Sequence, residues 1–308
     1  MRLRLTKGAV MFEHIYGIIP PMTTPFHSDG TLDEDTMRTE ARYLIEVAKV
    51  HGLAVCGSTG EGHTVSTEEA RRITTLVTQE VKGRVPIITG AIVDSTAQAI
   101  ERGKAVKDLG VAALQVTVPH YVFPPDEDTA LRHFEGVAKG TGLPIIIYNV
   151  VRQAMLSARL LTRIITSVEG VIGVKASGGD MKMVADLILL LRGRGRVMTA
   201  VDALMYPSFA LGADGAISSI CTAVPTLLRQ LWDTVQAGDF KQALVLHEKI
   251  LPIWNAIGFE NHHNMPANTK TCQELLGRKA GLPRAPMPAS SPAQREAIRK
   301  ALHEAGLL

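Results

Sequence analysis

The sequence predicts an α/β fold, a (β/α)8 TIM barrel with a C-terminal helical appendage. Short aliphatic runs alternate with amphipathic stretches at helical spacing, and eight such alternations in roughly 220 residues match the count of this barrel. The runs are nearly continuous in apolar character, which is typical of parallel strands covered on both faces. Aromatic residues make up only 5% of the chain, so aliphatic side chains must form the core, which favours a helix-covered parallel sheet over a β-sandwich.

Eight strands are predicted from these runs. They span residues 17–22, 52–56, 86–90, 112–117, 144–148, 171–175, 196–200 and 215–217. Helix start signals lie between them: Thr31 with Glu34 and Ser66 with Glu69 have the spacing of capping boxes, and Asp94 can cap the next helix. An open, doubly wound sheet is the alternative, but no G-x-G-x-x-G motif follows the first strand, which speaks against a dinucleotide-binding version.

Three regions are expected along the chain. Residues 1–11 form an N-terminal extension, residues 12–222 the barrel, and residues 223–308 a helical region in which the strand pattern stops. The helices predicted in that last region span residues 225–235, 239–257, 268–276 and 292–305, the last one after a proline-rich connector.

Composition excludes several classes of function. The chain of 308 residues carries 33 basic and 30 acidic residues, a net charge of +3, so no electrostatic footprint for nucleic acid is evident. No apolar run reaches the roughly 18–20 residues of a membrane span, and the basic start lacks the apolar stretch of a secretion signal. Three separated cysteines are typical of reduced thiols. We therefore expect a cytoplasmic protein without a membrane or nucleic-acid partner.

Polar residues at predicted strand ends are the candidates for chemistry, because barrel active sites lie there. Gly57-Ser58-Thr59 follows the second strand and could hold a small anion such as a carboxylate, or could be a simple glycine turn. Tyr148 ends the fifth strand as a proton shuttle or as a core aromatic residue. Lys175 ends the sixth, where burial would favour a neutral amine able to form an imine with a carbonyl. Alternatively, Lys175 pairs with a carboxylate.

Other polar residues give weaker signals. A proline-bounded loop after the fourth strand presents His120 and Tyr121, and His120 alone is more typical of a surface or packing residue. His262 and His263 are adjacent, which is not the spacing of a metal-binding helix, and no acidic cluster is close in sequence. We therefore expect no metal.

Five segments together resemble the dihydrodipicolinate synthase / N-acetylneuraminate lyase family. They are Gly17-x-x-Pro20-x-x-x-Thr24-Pro25-Phe26, Gly57-Ser58-Thr59-Gly60-Glu61, Tyr148-Asn149-Val150, Gly173-Val174-Lys175-x-Ser177 and Asp214-Gly215-Ala216-Ile217-Ser218. Each motif is weak by itself, but all five occur in family order and span nearly the whole chain. The resemblance implies a (β/α)8 barrel that works through a lysine imine, with no separate cofactor.

The resemblance also implies roles for single residues. Lys175 falls on the imine-forming lysine and Tyr148 on the proton-relay tyrosine. Gly57, Ser58 and Thr59 match the segment that holds the carboxylate of a 2-oxo acid such as pyruvate, with Ser58 bridging to the tyrosines. Tyr121 falls near a tyrosine that crosses a subunit interface in the synthases, and Ile217 on a residue whose carbonyl faces the site. Family members are commonly homo-oligomers, as dimers or tetramers built from dimers.

The sequence departs from the synthases where the second substrate binds. After Tyr148-Asn149-Val150 the synthases have a proline and then an arginine for a substrate carboxylate, whereas this chain lacks the proline. Gln153 occupies the arginine position by direct counting, and Arg152 could serve instead if the loop is shorter. We therefore expect a lyase, an aldolase or dehydratase acting on pyruvate or on a sugar-acid 2-oxo compound. A lysine-biosynthetic 4-hydroxy-tetrahydrodipicolinate synthase is the alternative, followed by a non-catalytic protein that binds a 2-oxo acid.

Overall fold

The structure, a computed structural model, describes residues 14–258 and 264–308. Its eight parallel strands are β1 (Gly17–Ile18), β2 (Leu53–Val55), β3 (Ile87–Ala91), β4 (Ala113–Thr117), β5 (Ile145–Asn149), β6 (Val171–Ala176), β7 (Arg196–Thr199) and β8 (Gly215–Ala216). Their spatial order is β1-β8-β7-β6-β5-β4-β3-β2. All eight predicted strands are present, and the predicted (β/α)8 barrel is confirmed.

The barrel closes between β1 and β2 through a short stretch of pairing. Pro21 forms a parallel bridge with Ala54, and the Met22 N–H donates to the Ala54 carbonyl while the Ala54 N–H donates to the Pro20 carbonyl. The first strand was predicted to run to Met22, but as a regular ladder it ends at Ile18. Pro20 and Pro21 have no N–H to donate, which interrupts the ladder.

Helices surround the sheet and continue beyond it. They are α1 (Glu34–Glu46), α2 (Thr67–Val81), α3 (Thr96–Val106), α4 (Glu127–Thr141), α5 (Ala158–Ser167), α6 (Met181–Leu191), α7 (Met205–Ala210), α8 (Ser219–Ala223), α9 (Pro225–Gln236), α10 (Phe240–Ile257), α11 (Met265–Leu275) and α12 (Pro292–Glu304). Within the described ranges, no helix is long and apolar enough to cross a membrane.

The predicted helix starts are right in one case and wrong in two. Ser66 and Glu69 form the complete capping box at the start of α2. The box predicted at Thr31 is wrong: α1 starts two residues later, where the Asp33 carboxylate accepts from the N–H of Thr36. Asp94 was also wrongly chosen, since Ser95 caps α3.

The C-terminal helices pack on the barrel and on one another. Helix α10 packs against α9 and α12, and α11 packs against α8. Two buried ion pairs join this region to the barrel: Lys270 on α11 with Glu61, at 2.7 Å, and Arg278 with Glu40 on α1, at 2.8 Å. The division at residues 222 and 223 stays a prediction, as α8 spans it. The predicted N-terminal extension lies outside the described residues.

The bore of the barrel is filled by side chains rather than open. Nine buried apolar residues form its plug: Ile15, Ile19, Ala54, Ile88, Ala113, Ile146, Ile172, Met198 and Ile217. Because side chains alternate along a regular strand, the residues two positions beyond Ala113 on β4 and Ile146 on β5 point into the same bore, nearer the carboxyl ends of the strands. Tyr148 follows Ile146 in this way, and Gln115 follows Ala113.

Candidate active site

Lys175 and Tyr148 are neighbours at the carboxyl end of the barrel. They are register partners on β6 and β5, and the Lys175 amine nitrogen lies 3.9 Å from the centroid of the Tyr148 ring. Lys175 is 2% exposed and Tyr148 is 4% exposed. In the part of the chain that the structure describes, the Lys175 amine forms no ion pair with a carboxylate. The amine therefore lies in a dry site with a phenol ring beside it.

The Tyr148 hydroxyl connects this pair to the loop after β2. It donates a hydrogen bond to Ser58 Oγ over 3.0 Å. The loop folds back on itself, because the Gly57 carbonyl accepts from the N–H groups of both Gly60 and Gly62 at 3.0 and 2.9 Å. Thr59 is buried, and its hydroxyl shares a 2.7 Å hydrogen bond with Ser219 Oγ at the start of α8. The Ser58 hydroxyl is thus held next to the lysine–tyrosine pair, and the Thr59 hydroxyl is held against the start of α8.

Glycine at two positions allows this loop to lie close to the sheet. A Cβ atom added to Gly62 would lie 2.0 Å from the Cys56 carbonyl oxygen, and one added to Gly90 on β3 would lie 2.1 Å from the same atom. These distances are far inside van der Waals contact, so the backbone would have to move. The glycines are therefore required for the loop to reach its observed place.

Asp202 is a site residue that the sequence analysis missed. It follows β7, and its Oδ1 accepts hydrogen bonds from the Ser218 hydroxyl and from the N–H of Ile220, the latter at 2.9 Å. Burial raises the pKa of the Asp202 carboxyl, while these hydrogen bonds and the positive charge of Lys175 oppose that rise. Asp202 is therefore an acidic group close enough to Lys175 to interact with it electrostatically. A carboxylate two residues after the predicted strand 196–200 was the available signal.

Tyr121 lies apart from the pair in this single chain. Its side chain is 77% exposed, followed by the exposed side chains of Val122 and Phe123. Asp94 holds the loop, because its Oδ1 accepts from the N–H groups of His120 and Tyr121 at 3.0 and 2.9 Å. This loop carries a cluster of exposed aromatic and aliphatic side chains, and the position of the Tyr121 hydroxyl in an assembly stays a prediction.

Arg152 and Gln153 both lie in a short 3-10 helix after β5, spanning Arg152–Ala154, and both are exposed. Gln153 donates through Nε2 to the carbonyl of His120 at 3.4 Å, which links this segment to the loop that carries Tyr121. Which of the two faces a substrate stays a prediction. Ile217 is buried in the bore, where its N–H donates to the Thr199 carbonyl at 3.0 Å; its predicted role also stays a prediction.

In the described part of the chain, no group of three or more His, Cys, Asp or Glu side chains is arranged to hold an ion, and the expectation of no metal stays a prediction. His262 and His263 lie outside the described residues. The three cysteines, Cys56, Cys221 and Cys272, are buried free thiols.

The buried lysine, the tyrosine and the hydroxyl-bearing loop can be compared with known proteins. A family model described as the dihydrodipicolinate synthetase family matches residues 14–305. The chain belongs to this family. Membership makes the protein an enzyme of the lyase class, as the resemblance of its motifs implied.

Individual relatives cover almost the whole chain. The 4-hydroxy-tetrahydrodipicolinate synthase of Methanopyrus kandleri is 33% identical over 297 residues, which are 96% of this chain and 97% of that protein. The chloride-inhibited dihydrodipicolinate synthase of Acinetobacter baumannii, solved in complex with pyruvate, is 30% identical with a TM-score of 0.88, covering 96% of this chain and 100% of that one. The N-acetylneuraminate lyase of Fusobacterium nucleatum is 26% identical with a TM-score of 0.85, covering 94% and 99%. Synthases and sugar-acid lyases of the family therefore share this fold.

Proposed function

We propose that this protein is a lyase of the dihydrodipicolinate synthetase family that acts on pyruvate, or on a pyruvate-derived or sugar-acid 2-oxo acid, through an imine on Lys175. The observation that carries the proposal is the 3.9 Å approach of the buried Lys175 amine to the Tyr148 ring. The neutral amine of a lysine is the nucleophile that adds to a carbonyl carbon to form an imine. The pyruvate complex of the Acinetobacter baumannii relative supports a 2-oxo acid as ligand.

The proposed reaction begins at the carbonyl carbon of the acid. The Lys175 nitrogen adds to C2, and loss of water gives a protonated imine. Ser58 and Thr59 hold the carboxylate, with Gly57 providing the turn that presents them. The cationic imine nitrogen draws electrons from the adjacent bonds, so a carbanion at C3 is stabilised as an enamine.

The enamine can form in two ways. Cleavage of the C3–C4 bond releases an aldehyde from C4, which is the aldolase reaction. Removal of a C3 proton followed by loss of hydroxide from C4 is the dehydratase reaction. Tyr148 would carry the proton in either case, since its hydroxyl already donates to Ser58. Hydrolysis of the product imine returns the free amine of Lys175.

A 4-hydroxy-tetrahydrodipicolinate synthase is the second candidate, and the name of the Methanopyrus kandleri relative favours it. In that reaction the enamine of pyruvate attacks the aldehyde carbon of aspartate semialdehyde. Arg152 or Gln153 would bind the second carboxylate, since both are exposed in the short helix after β5. A non-catalytic 2-oxo-acid-binding protein is the third candidate, and the adjacent Lys175 and Tyr148 speak against it.

We further propose that the protein works as a homo-oligomer, a dimer or tetramer, in the cytoplasm. The exposed side chains of Tyr121, Val122 and Phe123 support a contact with a second copy, because adjacent exposed apolar groups are typical of interaction sites. Tyr121 would then reach the site of the neighbour. The three free thiols support a reducing compartment.

The test is a substrate panel. The purified protein is incubated with aldehydes, including aspartate semialdehyde, plus pyruvate, and separately with sugar-acid 2-oxo compounds. Pyruvate consumption or release is measured, together with loss of the sugar-acid compound and formation of its dehydrated product by mass spectrometry. Turnover of a sugar-acid compound with release of pyruvate or water supports the lyase. Pyruvate consumption only with aspartate semialdehyde would instead establish the synthase. Absence of turnover with a persistent pyruvate complex would favour the binding protein.

A further inference from the structure

Gln115 is a buried polar residue that the proposed mechanism leaves unused. It lies in the middle of β4 and is 1% exposed. It points into the bore, because Ala113 two residues earlier belongs to the bore plug while Leu114 and Val116 belong to the outer core. A carboxamide at this position stands at the boundary between the apolar plug and the polar layer that contains Tyr148 and Lys175.

Neither polar atom of the Gln115 side chain has a hydrogen-bond partner among the described residues. Both Nε2 and Oε1 are inaccessible and unpaired, and so is the hydroxyl oxygen of Thr117, the next residue on the same face. Buried polar groups in folded proteins are nearly always paired, because an unpaired one loses its hydration without compensation. A ligand that brings a polar group to this place would remove that cost.

The Gln115 side chain reaches the loop after β2 that carries Gly57, Ser58 and Thr59, here called the carboxylate loop, across a neighbouring glycine. Gln115 is the register partner of Gly90 on β3, and Gly90 has no side chain to separate β4 from the loop after β2. A Cβ atom built on Gly57 would lie 3.5 Å from Gln115 Nε2. The carboxamide therefore lies against Gly57, one residue before the Ser58 hydroxyl that accepts from Tyr148.

We propose that Gln115 is a further substrate-binding residue, whose Nε2 donates a hydrogen bond to the carboxylate of the 2-oxo acid held by Ser58 and Thr59. This inference rests on the proposed function. A carboxylate has about four lone-pair sites and accepts several donors at once, and a donor facing a charged acceptor forms a stronger hydrogen bond than a neutral pair. Gln115 is then a determinant of selectivity for acids over simple ketones.

The experiment compares two carbonyl compounds on wild-type protein and on Gln115→Met. Pyruvate and acetone both form an imine with an amine, but only pyruvate has the carboxylate. Each is titrated in the presence of cyanoborohydride, and intact mass gives the concentration for half-maximal adduct on Lys175. We expect Gln115→Met to raise this concentration about tenfold for pyruvate, equivalent to about 1.4 kcal/mol, and to leave it within twofold for acetone.

Two controls distinguish binding from structure. Ile146→Met alters the register partner of Gln115 on β5, without removing a polar group, and should leave both titrations within twofold of wild type. Melting temperature should be unchanged or higher in Gln115→Met, because the substitution replaces two unpaired polar atoms by apolar ones of similar shape. Gln115→Leu serves as a second variant of different shape if Gln115→Met does not fold.

The outcomes are separable. A loss confined to pyruvate supports the proposal. An unchanged pyruvate titration, or equal shifts for pyruvate and acetone, would overturn it. Absence of a pyruvate adduct on the wild-type protein would contradict the proposed function itself, and is therefore distinguishable from a failure of the Gln115 assignment.

Discussion

Substitution of Lys270 by methionine tests whether the C-terminal helices hold the carboxylate loop in place. Lys270 Nζ donates to Glu61 Oε1 at 2.7 Å and to the Leu282 carbonyl at 2.6 Å, and the ion-paired side chains are 2% and 0% exposed. The other carboxylate oxygen, Oε2, accepts from the N–H of Arg284. Glu61 ends the segment that carries Ser58 and Thr59, so the pair joins α11 to the predicted binding loop.

Lys270→Met leaves the Glu61 carboxylate buried without its ammonium partner. Removal of one member of a buried ion pair costs about 3–5 kcal/mol. With an unfolding entropy of roughly 2 cal/mol/K per residue, this corresponds to a fall in melting temperature of roughly 5–8 °C for a chain of this length. Glu61→Gln together with Lys270→Met removes both charges and should recover most of the loss.

The assay is thermal unfolding of wild type, Lys270→Met and the double variant, monitored by circular dichroism at pH 7. The reasoning is refuted if Lys270→Met melts within 1–2 °C of wild type, a margin well below the estimated shift. It is also refuted if the double variant is no more stable than the single one, since the cost would then come from lost packing rather than from an unpaired charge.

Three further predictions concern the relay, the core and the sheet. Tyr148→Phe should lower kcat by about 10²–10⁴-fold if the hydroxyl is the proton relay, and an unchanged kcat would remove it from the mechanism. Burial raises the pKa of the Glu40 carboxyl to about 6, so folding favours the protonated carboxyl. Glu40 therefore adds to the free energy of unfolding below about pH 4.5, and this contribution is lost as the pH rises through 6. The free energy of unfolding of the wild type should therefore fall between pH 4.5 and 7, and in Glu40→Gln this fall should be smaller by about 2 kcal/mol. Urea unfolding of both proteins at pH 4.5 and at pH 7 measures it, and equal falls in the two proteins would contradict the prediction. Gly90→Ala should lower the free energy of unfolding by about 3 kcal/mol, because its Cβ would lie 2.1 Å from the Cys56 carbonyl oxygen. Gly57→Ala should lower it much less in the same urea assay, because the nearest atom to that Cβ lies 3.5 Å away. Equal losses in the two variants would contradict the prediction that the Gly90 contact is the cause.

The fold could be predicted because its signals are local. Each strand is an apolar run bounded by turn residues, so the eight runs and their order were sufficient for the barrel. The predicted bounds of helices and strands were wrong where two local sequence signals lay close together. Thr31 and Asp33 both precede α1, and the carboxylate of Asp33 is the one that accepts from the helix N–H group. At β1 the apolar run continued through Pro20 and Pro21, which cannot donate to a ladder.

The site was less predictable because it depends on contacts between distant segments. Lys175 and Tyr148 were chosen from strand ends, and their adjacency follows from the neighbouring positions of β5 and β6. Asp202 also follows a strand, but its link to Lys175 is a tertiary interaction. Gln115 interrupts an apolar strand, and its meaning depends on Gly90 and Gly57 on other elements. The place of Tyr121 depends on a second copy, which one chain does not contain.

Covalent trapping of pyruvate tests the central claim most directly. The protein is incubated with pyruvate and reduced with borohydride, and peptide mass spectrometry locates any adduct, with Lys175→Arg as the matched control. The account predicts one adduct per chain, located on Lys175 and absent from the variant. An unmodified Lys175 in the wild-type protein, or an equal adduct on Lys175→Arg, would contradict it.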